Sequence, residues 1–407
     1  MAGTAFSFPD FRRLVTARLL FTIGTQMQAV VTGWLIYELY RDPLYLGLIG
    51  AVEALPALGL ALVAGYLVDR SNPVHVYRGV LVVSLASALM LFAATLLGGE
   101  VSVSERATLI YASAFLTGLA RGFTSPAVYS MMPQMVPREA LAASSAWLTS
   151  AFQVAAVGGP ALGGLIFGFG GARLATLIQV VLLVLGFFVF LGIRLQPKVV
   201  KRVKGEPILE NLLVGVRYVF KNQYLLSALS LDMFAVLFGG VTALLPLFAS
   251  DILNVGPEGL GLLRAAPAVG ALFVSVFLIR RPIRKNAGRI LLASVAAFGL
   301  CILGFGISES FWISALILAF SGAVDAISMV VRGTVVALHS PEHMRGRIAA
   351  VNSMFIGSSN ELGALESGVG AKLLGTVPSV LFGGTMTLIV VAVTAWRAPK
   401  LRELELK

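Results

Sequence analysis

Seven ionisable residues interrupt otherwise apolar stretches of this chain: Glu53, Arg121, Asp232, Asp325, Arg332, Glu361 and Glu366. Buried carboxyls hold protons near neutral pH, so Glu53, Asp325, Glu361 and Glu366 are candidates for proton coupling rather than for covalent chemistry. Around them, hydroxyls and amides recur at helical spacing. Ser321, Asp325, Ser328 and Arg332 follow steps of four, three and four, and Thr117, Arg121 and Thr124 repeat that stripe. Thr25, Gln28 and Thr32 share a third face. Asn352, Ser359 and Glu366 share a fourth, with Glu361 ~140° away from Glu366 around the helix. Such faces suit a polar cavity wall that binds a small molecule; Asp232 and Asn360 join that set. The alternative reading is a static buried pair holding parts of the chain together. For Glu53 a structural hydrogen bond stands beside the carrier role, and for Asp232 solvation near a helix end. No phosphate-binding glycine loop, nucleophile constellation or metal-ligand pair accompanies these residues, so no enzyme, cofactor or metal is expected. His75, His339 and His343 fall in or beside cytoplasmic loops and read as solvated rather than as ligands.

The elements that must carry these faces are membrane helices. Of 407 residues 57% are hydrophobic and 13% charged, with a mean hydropathy of +0.89. A water-soluble domain of this length needs more charge on its surface. Stretches of roughly 20 apolar residues recur twelve times. They are 14–39, 44–68, 76–97, 108–131, 141–167 and 174–195, then 225–248, 260–279, 290–307, 311–338, 348–374 and 377–396. The expected class is an all-α membrane protein with twelve transmembrane helices. The lone Cys301 excludes a disulfide framework.

A net charge of +11 would suggest nucleic acid in a soluble protein, but its placement gives topology instead. With the N-terminus inside, Arg70, Arg138, Arg284, Arg345 and most other basic residues fall in cytoplasmic loops. Arg41, Arg106, Arg173, Arg264 and Lys372 fall outside. Both termini are then cytoplasmic, and the protein is a multi-pass resident of the cell (inner) membrane. Nothing points beyond a monomer.

The polar stretch 196–224 divides the spans six and six. It reads as a basic linker followed by an amphipathic helix that lies on the membrane surface or packs on the bundle. Residues 1–195 and 225–407 are therefore two pseudo-symmetric six-helix bundles. An offset of 204 lays Pro137 on Pro341, Gly159 on Gly363, Gly164 on Gly368 and Arg121 on Asp325. Opposite charges at equivalent positions suggest an Arg121–Asp325 couple between the halves. Asp325 with Arg332, and Arg121 with Glu53, are its competitors.

Several motifs carry a resemblance. Gly65-Tyr-Leu-Val-Asp69-Arg70 resembles the loop motif of the major facilitator superfamily, although Pro73 and His75 depart from it. Gly159-Pro160-Ala-Leu-Gly163-Gly164 resembles the motif associated with antiporters and exporters, with Ala155 in place of its first glycine. Phe11-Arg-Arg13 with Gly24-Thr-Gln26, Ser125-Pro-Ala127, Ala243-Leu-Leu-Pro246 and the block Met344-Arg-Gly-Arg347 to Glu366-Ser-Gly368 resemble the enterobactin-exporter-like branch. The resemblance implies a major facilitator fold whose first, fourth, seventh and tenth helices line a central cavity. It implies that Gly65, Asp69, Arg70, Gly159, Pro160, Gly163, Gly164, Arg345 and Arg347 serve conformational change. It further implies proton-driven export of siderophores or drugs. A lipid or lysophospholipid transporter of the same fold, and a non-transporting receptor, are the alternatives.

Overall fold

The structure is a computed structural model that describes residues 5–97, 101–195, 208–280, 283, 285–341 and 344–405. Among these, helices account for nearly everything: α1 Pro9–Tyr40, α2 Pro43–Arg70, α3 Pro73–Leu96, α4 Val103–Met135 and α5 Leu141–Leu191. Next come α6 Ile208–Lys221, α7 Gln223–Gly239, α8 Leu245–Leu247, α9 Gly256–Arg280 and α10 Ala287–Ile307. The chain ends with α11 Phe311–His339, α12 Arg345–Leu374, α13 Thr376–Arg397 and the short α14 Pro399–Arg402.

The twelve apolar stretches fall largely on helix, the seventh with a break at Gly240. Nine helices among the described residues are long and apolar enough to cross a membrane. One of the nine runs through α5, which holds two predicted stretches joined at Gly171, whose φ of 77° only glycine adopts without strain. The fourth and eleventh stretches lie on α4 and α12, where the polar residues of the candidate site lower the hydropathy.

Helix starts follow their sequence signals. Proline occupies the first turn of α1 and α3, where its missing N–H costs nothing. Asn72 accepts from the Val74 N–H, and Asn222 accepts from the N–H groups of Tyr224 and Leu225. Ser102 and Glu105 form a reciprocal capping box at α4. The seventh stretch is broken: α7 ends at Gly240, and a 3₁₀ turn, α8 and a π-helical turn Phe248–Ile252 follow. The Gly240 carbonyl, freed by the break, accepts from the Ser367 hydroxyl of α12 at 3.1 Å.

Two compact units result. The first comprises residues 1–41, 52–202 and 255–265. The second comprises residues 42–51, 203–254 and 266–407. The first eight residues of the second predicted span, 44–51, thus group with the second unit, and the first turns of α9 group with the first. The core of the first unit gathers Phe11, Leu14, Tyr77, Leu81, Met131 and Phe190. The core of the second gathers Val219, Leu225, Leu231, Leu291, Val331 and Ile348. Val219 is fully buried there, so α6 packs on its own unit, the second of the two readings its amphipathic pattern allows. The basic segment before it lies outside the described residues.

Candidate functional site

In the first unit, α2 and α4 bring a carboxylate and a guanidinium together inside the apolar zone. Glu53 is the eleventh residue of α2, and Pro56 one turn later removes the backbone bond to the Val52 carbonyl. Gly118 of α4 lies against the Glu53 backbone; a Cβ there would sit 2.9 Å from the Glu53 Cα. That approach places Arg121, one turn further along α4, beside Glu53, with Nη1 3.4 Å from Oε2. The Arg121 side chain is 51% exposed and that of Glu53 19%. The pair therefore reaches the surface of the protein although it lies well inside two membrane helices.

Arg264 of α9 donates through Nη1 to the carbonyl of Ala29 in α1. Arg264, expected on the outer side within the eighth apolar stretch, lies on helix. It lies eight residues into α9, about 12 Å along the axis at 1.5 Å per residue. The sequence carries a signal for this, since Leu260, Leu262, Leu263, Ala265 and Ala266 flank it.

Gln28 does not face a cavity, contrary to expectation. It is 3% exposed. Its Nε2 donates to Ser113 Oγ and Ser87 Oγ, both at 2.8 Å, with Thr117 Oγ1 at 2.9 Å. Gln179 Nε2 donates in turn to Gln28 Oε1 at 2.8 Å. The network ties α1, α3, α4 and the second half of α5 together, because an amide in a membrane core needs partners from neighbouring helices. Thr32 is likewise buried, at 2%, and Thr25 donates to the Thr22 carbonyl of its own helix at 3.1 Å.

In the second unit, the Asp232 carboxylate of α7 meets the Arg332 guanidinium of α11, with side-chain exposures of 9% and 5%. Asp232 is thus neither solvated nor at a cavity surface; it is half of a sealed ion pair. The α11 stripe turns inward with it. Ser321 is 4% exposed and donates to its own helix at Leu318 O, and Ser328 is 1% exposed. Asp325, the central residue of α11, is half-buried and has no hydrogen-bond or ion-pair partner among the described residues. Within the first unit Arg121 meets Glu53, one of the pairings weighed for it, and within the second Arg332 meets Asp232. On α12, Glu361 is buried and Glu366 half-buried, while Asn360 is exposed and donates to Ile356 O at 2.9 Å.

The motif residues divide. Gly159 and Gly163 of α5 pack on α1, where added Cβ atoms would meet Gln26 Cβ and the Met27 Cα. Gly164 faces Pro257 and Gly261 in the first turns of α9, and the Pro160 carbonyl lies against Gly261. Arg70 is exposed at the end of α2. The surroundings of Gly65 and the side chains of Asp69, Arg345 and Arg347 lie outside the described residues.

Long apolar helices with small residues at their crossings define an all-α membrane protein, and the family and relatives it matches make it a transporter of the major facilitator type rather than an enzyme. The chain belongs to the MFS_3 family, described as transmembrane secretion effector, whose model matches residues 3–407. The multidrug efflux pump Tap of Mycobacterium tuberculosis is 24% identical over 97% of this chain and 94% of its own length. Macrolide efflux protein A of Streptococcus pyogenes is 22% identical over 84% of each chain. Among solved structures, a POT family transporter in complex with 5-aminolevulinic acid superposes with a TM-score of 0.74 at 11% identity, covering 96% of both chains. A bacterial homologue of the iron transporter ferroportin in its inward-facing state gives 0.71 at 18% identity, covering 97% of this chain and 99% of that one. At such identities these two likenesses are of fold alone.

Proposed function

We propose that this chain is a proton-coupled exporter of amphiphilic small molecules, drugs or a siderophore, working by alternating access. The observation that carries the reading is the open Glu53–Arg121 pair. A carboxylate well inside a membrane helix, partly exposed and paired with an exposed guanidinium, is where a proton and a cationic or hydrogen-bonding solute can compete. The sealed Asp232–Arg332 pair offers no such access. Asp325, in mid-helix without a partner among the described residues, is a second proton site; Glu361 and Glu366 complete the set of membrane carboxyls. Full-length similarity to efflux pumps supports export and drugs as cargo.

In this reading the protein sits in the cell membrane as a monomer with both termini cytoplasmic. Two six-helix bundles, 1–195 and 225–407, are joined through 196–224. Its driving force is the proton gradient, and it needs no cofactor. Inside-out vesicles test it: an inward-acid gradient drives uptake of a cationic dye, a catecholate siderophore or a lysophospholipid, and uncoupler abolishes that uptake. Uptake that persists with the gradient collapsed and ATP retained sinks proton coupling; selective uptake of the lysophospholipid replaces the cargo. Cysteines at Ser71 and Lys285, without Cys301, resist impermeant reagents applied outside; labelling of either from outside overturns the orientation.

A further inference from the structure

Two helices of this chain change company partway along their length. At α2, residues 42–51 group with the second unit and the rest of the helix with the first. At α9, residues 255–265 group with the first unit and the rest of the helix with the second. A proline follows each change. Pro56 removes the backbone bond to the carbonyl of Val52, where α2 joins the first unit, and Pro267 does the same to Leu263 in α9. An offset of 211 lays Gly50 on Gly261 and Pro56 on Pro267, so the internal repeat relates the two places.

The first turns of α2 are held on α12 in two ways. One is a crossing of small residues. A Cβ on Gly47 would sit 2.9 Å from the Gly368 Cα, and one on Gly50 2.5 Å from the Ala364 Cβ. Backbones this close leave little side-chain area to grip. The other is Asp42. Its Oδ1 accepts the Leu44 N–H at 3.0 Å at the start of α2, and its Oδ2 meets the Lys372 ammonium in the last turn of α12. A negative charge at a helix N-terminus and a positive one at a helix C-terminus suit both helix dipoles. With the Lys372 side chain 51% exposed, the pair is of the weak, solvent-screened kind. It fastens the crossing without sealing it.

We propose that residues 42–51 are a strap, hinged at Pro56 and fastened to α12 by the Asp42–Lys372 clasp. Opening the clasp frees the strap from α12 while the remainder of α2 keeps its packing in the first unit. The inference goes beyond the proton-coupled reading and borrows nothing from it. Its test uses neither substrate nor gradient, so the two stand or fall separately.

The experiment uses the full chain in detergent with Cys301→Ser. One reporter is Leu46→Cys on the strap, at a position 2% exposed, and the other is Val68→Cys beyond the proline, at a position 1% exposed. Labelling of the Leu46→Cys thiol by an impermeant maleimide is expected to rise about two- to fivefold from low to high salt, as screening weakens the clasp. Lys372→Gln and Asp42→Asn are each expected to label at the fast rate at any salt concentration, and Lys372→Arg to keep the salt dependence. The Val68→Cys thiol is expected to label at one slow rate in all of these, because the movement ends at Pro56. With Pro56→Ala, which restores the helical bond, α2 moves as one rod, and Lys372→Gln is expected to speed labelling at both reporters. Leu46→Cys labelling that ignores both salt and Lys372→Gln overturns the clasp. Val68→Cys labelling that rises together with that of Leu46→Cys while Pro56 is present overturns the hinge.

Discussion

Gly118 lies against the backbone of Glu53, one helical turn before the arginine that Glu53 binds. The absence of a side chain at one position of α4 thus sets the distance of a charge pair at another. Gly118→Val inserts three carbons where even a Cβ meets backbone 2.9 Å away. Overpacking of this kind costs about 1–3 kcal/mol and moves α2 away from Arg121. The expected outcome is a lower melting temperature in detergent together with export weaker than in Gly122→Ala, where the added Cβ would have its nearest neighbour 3.5 Å away. Equal melting temperature and equal export in the two variants would remove Gly118 from the site.

The Asp232–Arg332 pair makes a different demand. With both side chains under a tenth exposed, removing one partner leaves an uncompensated charge, at a cost of about 3–5 kcal/mol. Asp232→Asn and Arg332→Gln are each expected to lower thermal stability strongly. The joint replacement Asp232→Leu with Arg332→Met is expected to recover much of it, because apolar residues of similar volume need no partner. A stable Asp232→Asn protein with lost export would instead mark Asp232 as a transport residue.

Outside the membrane segments, Asp42 gives a pH-dependent contribution. Burial pushes its carboxyl up, but the Lys372 hydrogen bond, the Leu44 N–H and the Lys372 charge together outweigh burial and hold it below its usual 3.8. A depressed carboxyl stabilises the fold above its unfolded pKa, near 3.9, and loses that contribution as pH falls through the folded value. Because Lys372 is half exposed, the effect is about 0.2–1 kcal/mol. The expected result is a small stability difference between parent and Asp42→Asn near neutral pH that shrinks below about pH 4. A difference that grows on acidification would reverse the sign of the argument. The measurement is thermal melting of both proteins across that range.

The helices are legible in the sequence because runs of apolar residues must cross a bilayer as helix, and their ends carry ordinary caps such as Ser102 and Asn222. Periodicity also groups the polar residues correctly by face. It does not say which way a face turns. Gln28 reads as a cavity residue because its partners Ser87, Ser113 and Gln179 lie on three other helical segments, distant in sequence. The internal repeat misleads in the same way: it aligns Arg121 with Asp325, yet each arginine is held by a carboxylate of its own unit. Repeats preserve backbone geometry, and charge pairing depends on neighbours the repeat does not conserve.

That correction sets the last prediction, which opposes two double-mutant cycles. Arg121 is bound to Glu53 in its own unit, so Arg121→Gln and Glu53→Gln remove the same interaction. Their effects on export are expected to be non-additive, with a coupling of about 0.5–3 kcal/mol. Arg121→Gln with Asp325→Asn removes two groups that answer to different surroundings, and that cycle is expected to close within about 0.3–0.5 kcal/mol. All variants are compared at matched expression, with export measured as initial rates in vesicles under one fixed proton gradient. Coupling in the second cycle and additivity in the first would restore the charge couple suggested by the repeat and take Glu53 out of the site. Coupling in both cycles would make the three residues one energetically linked set.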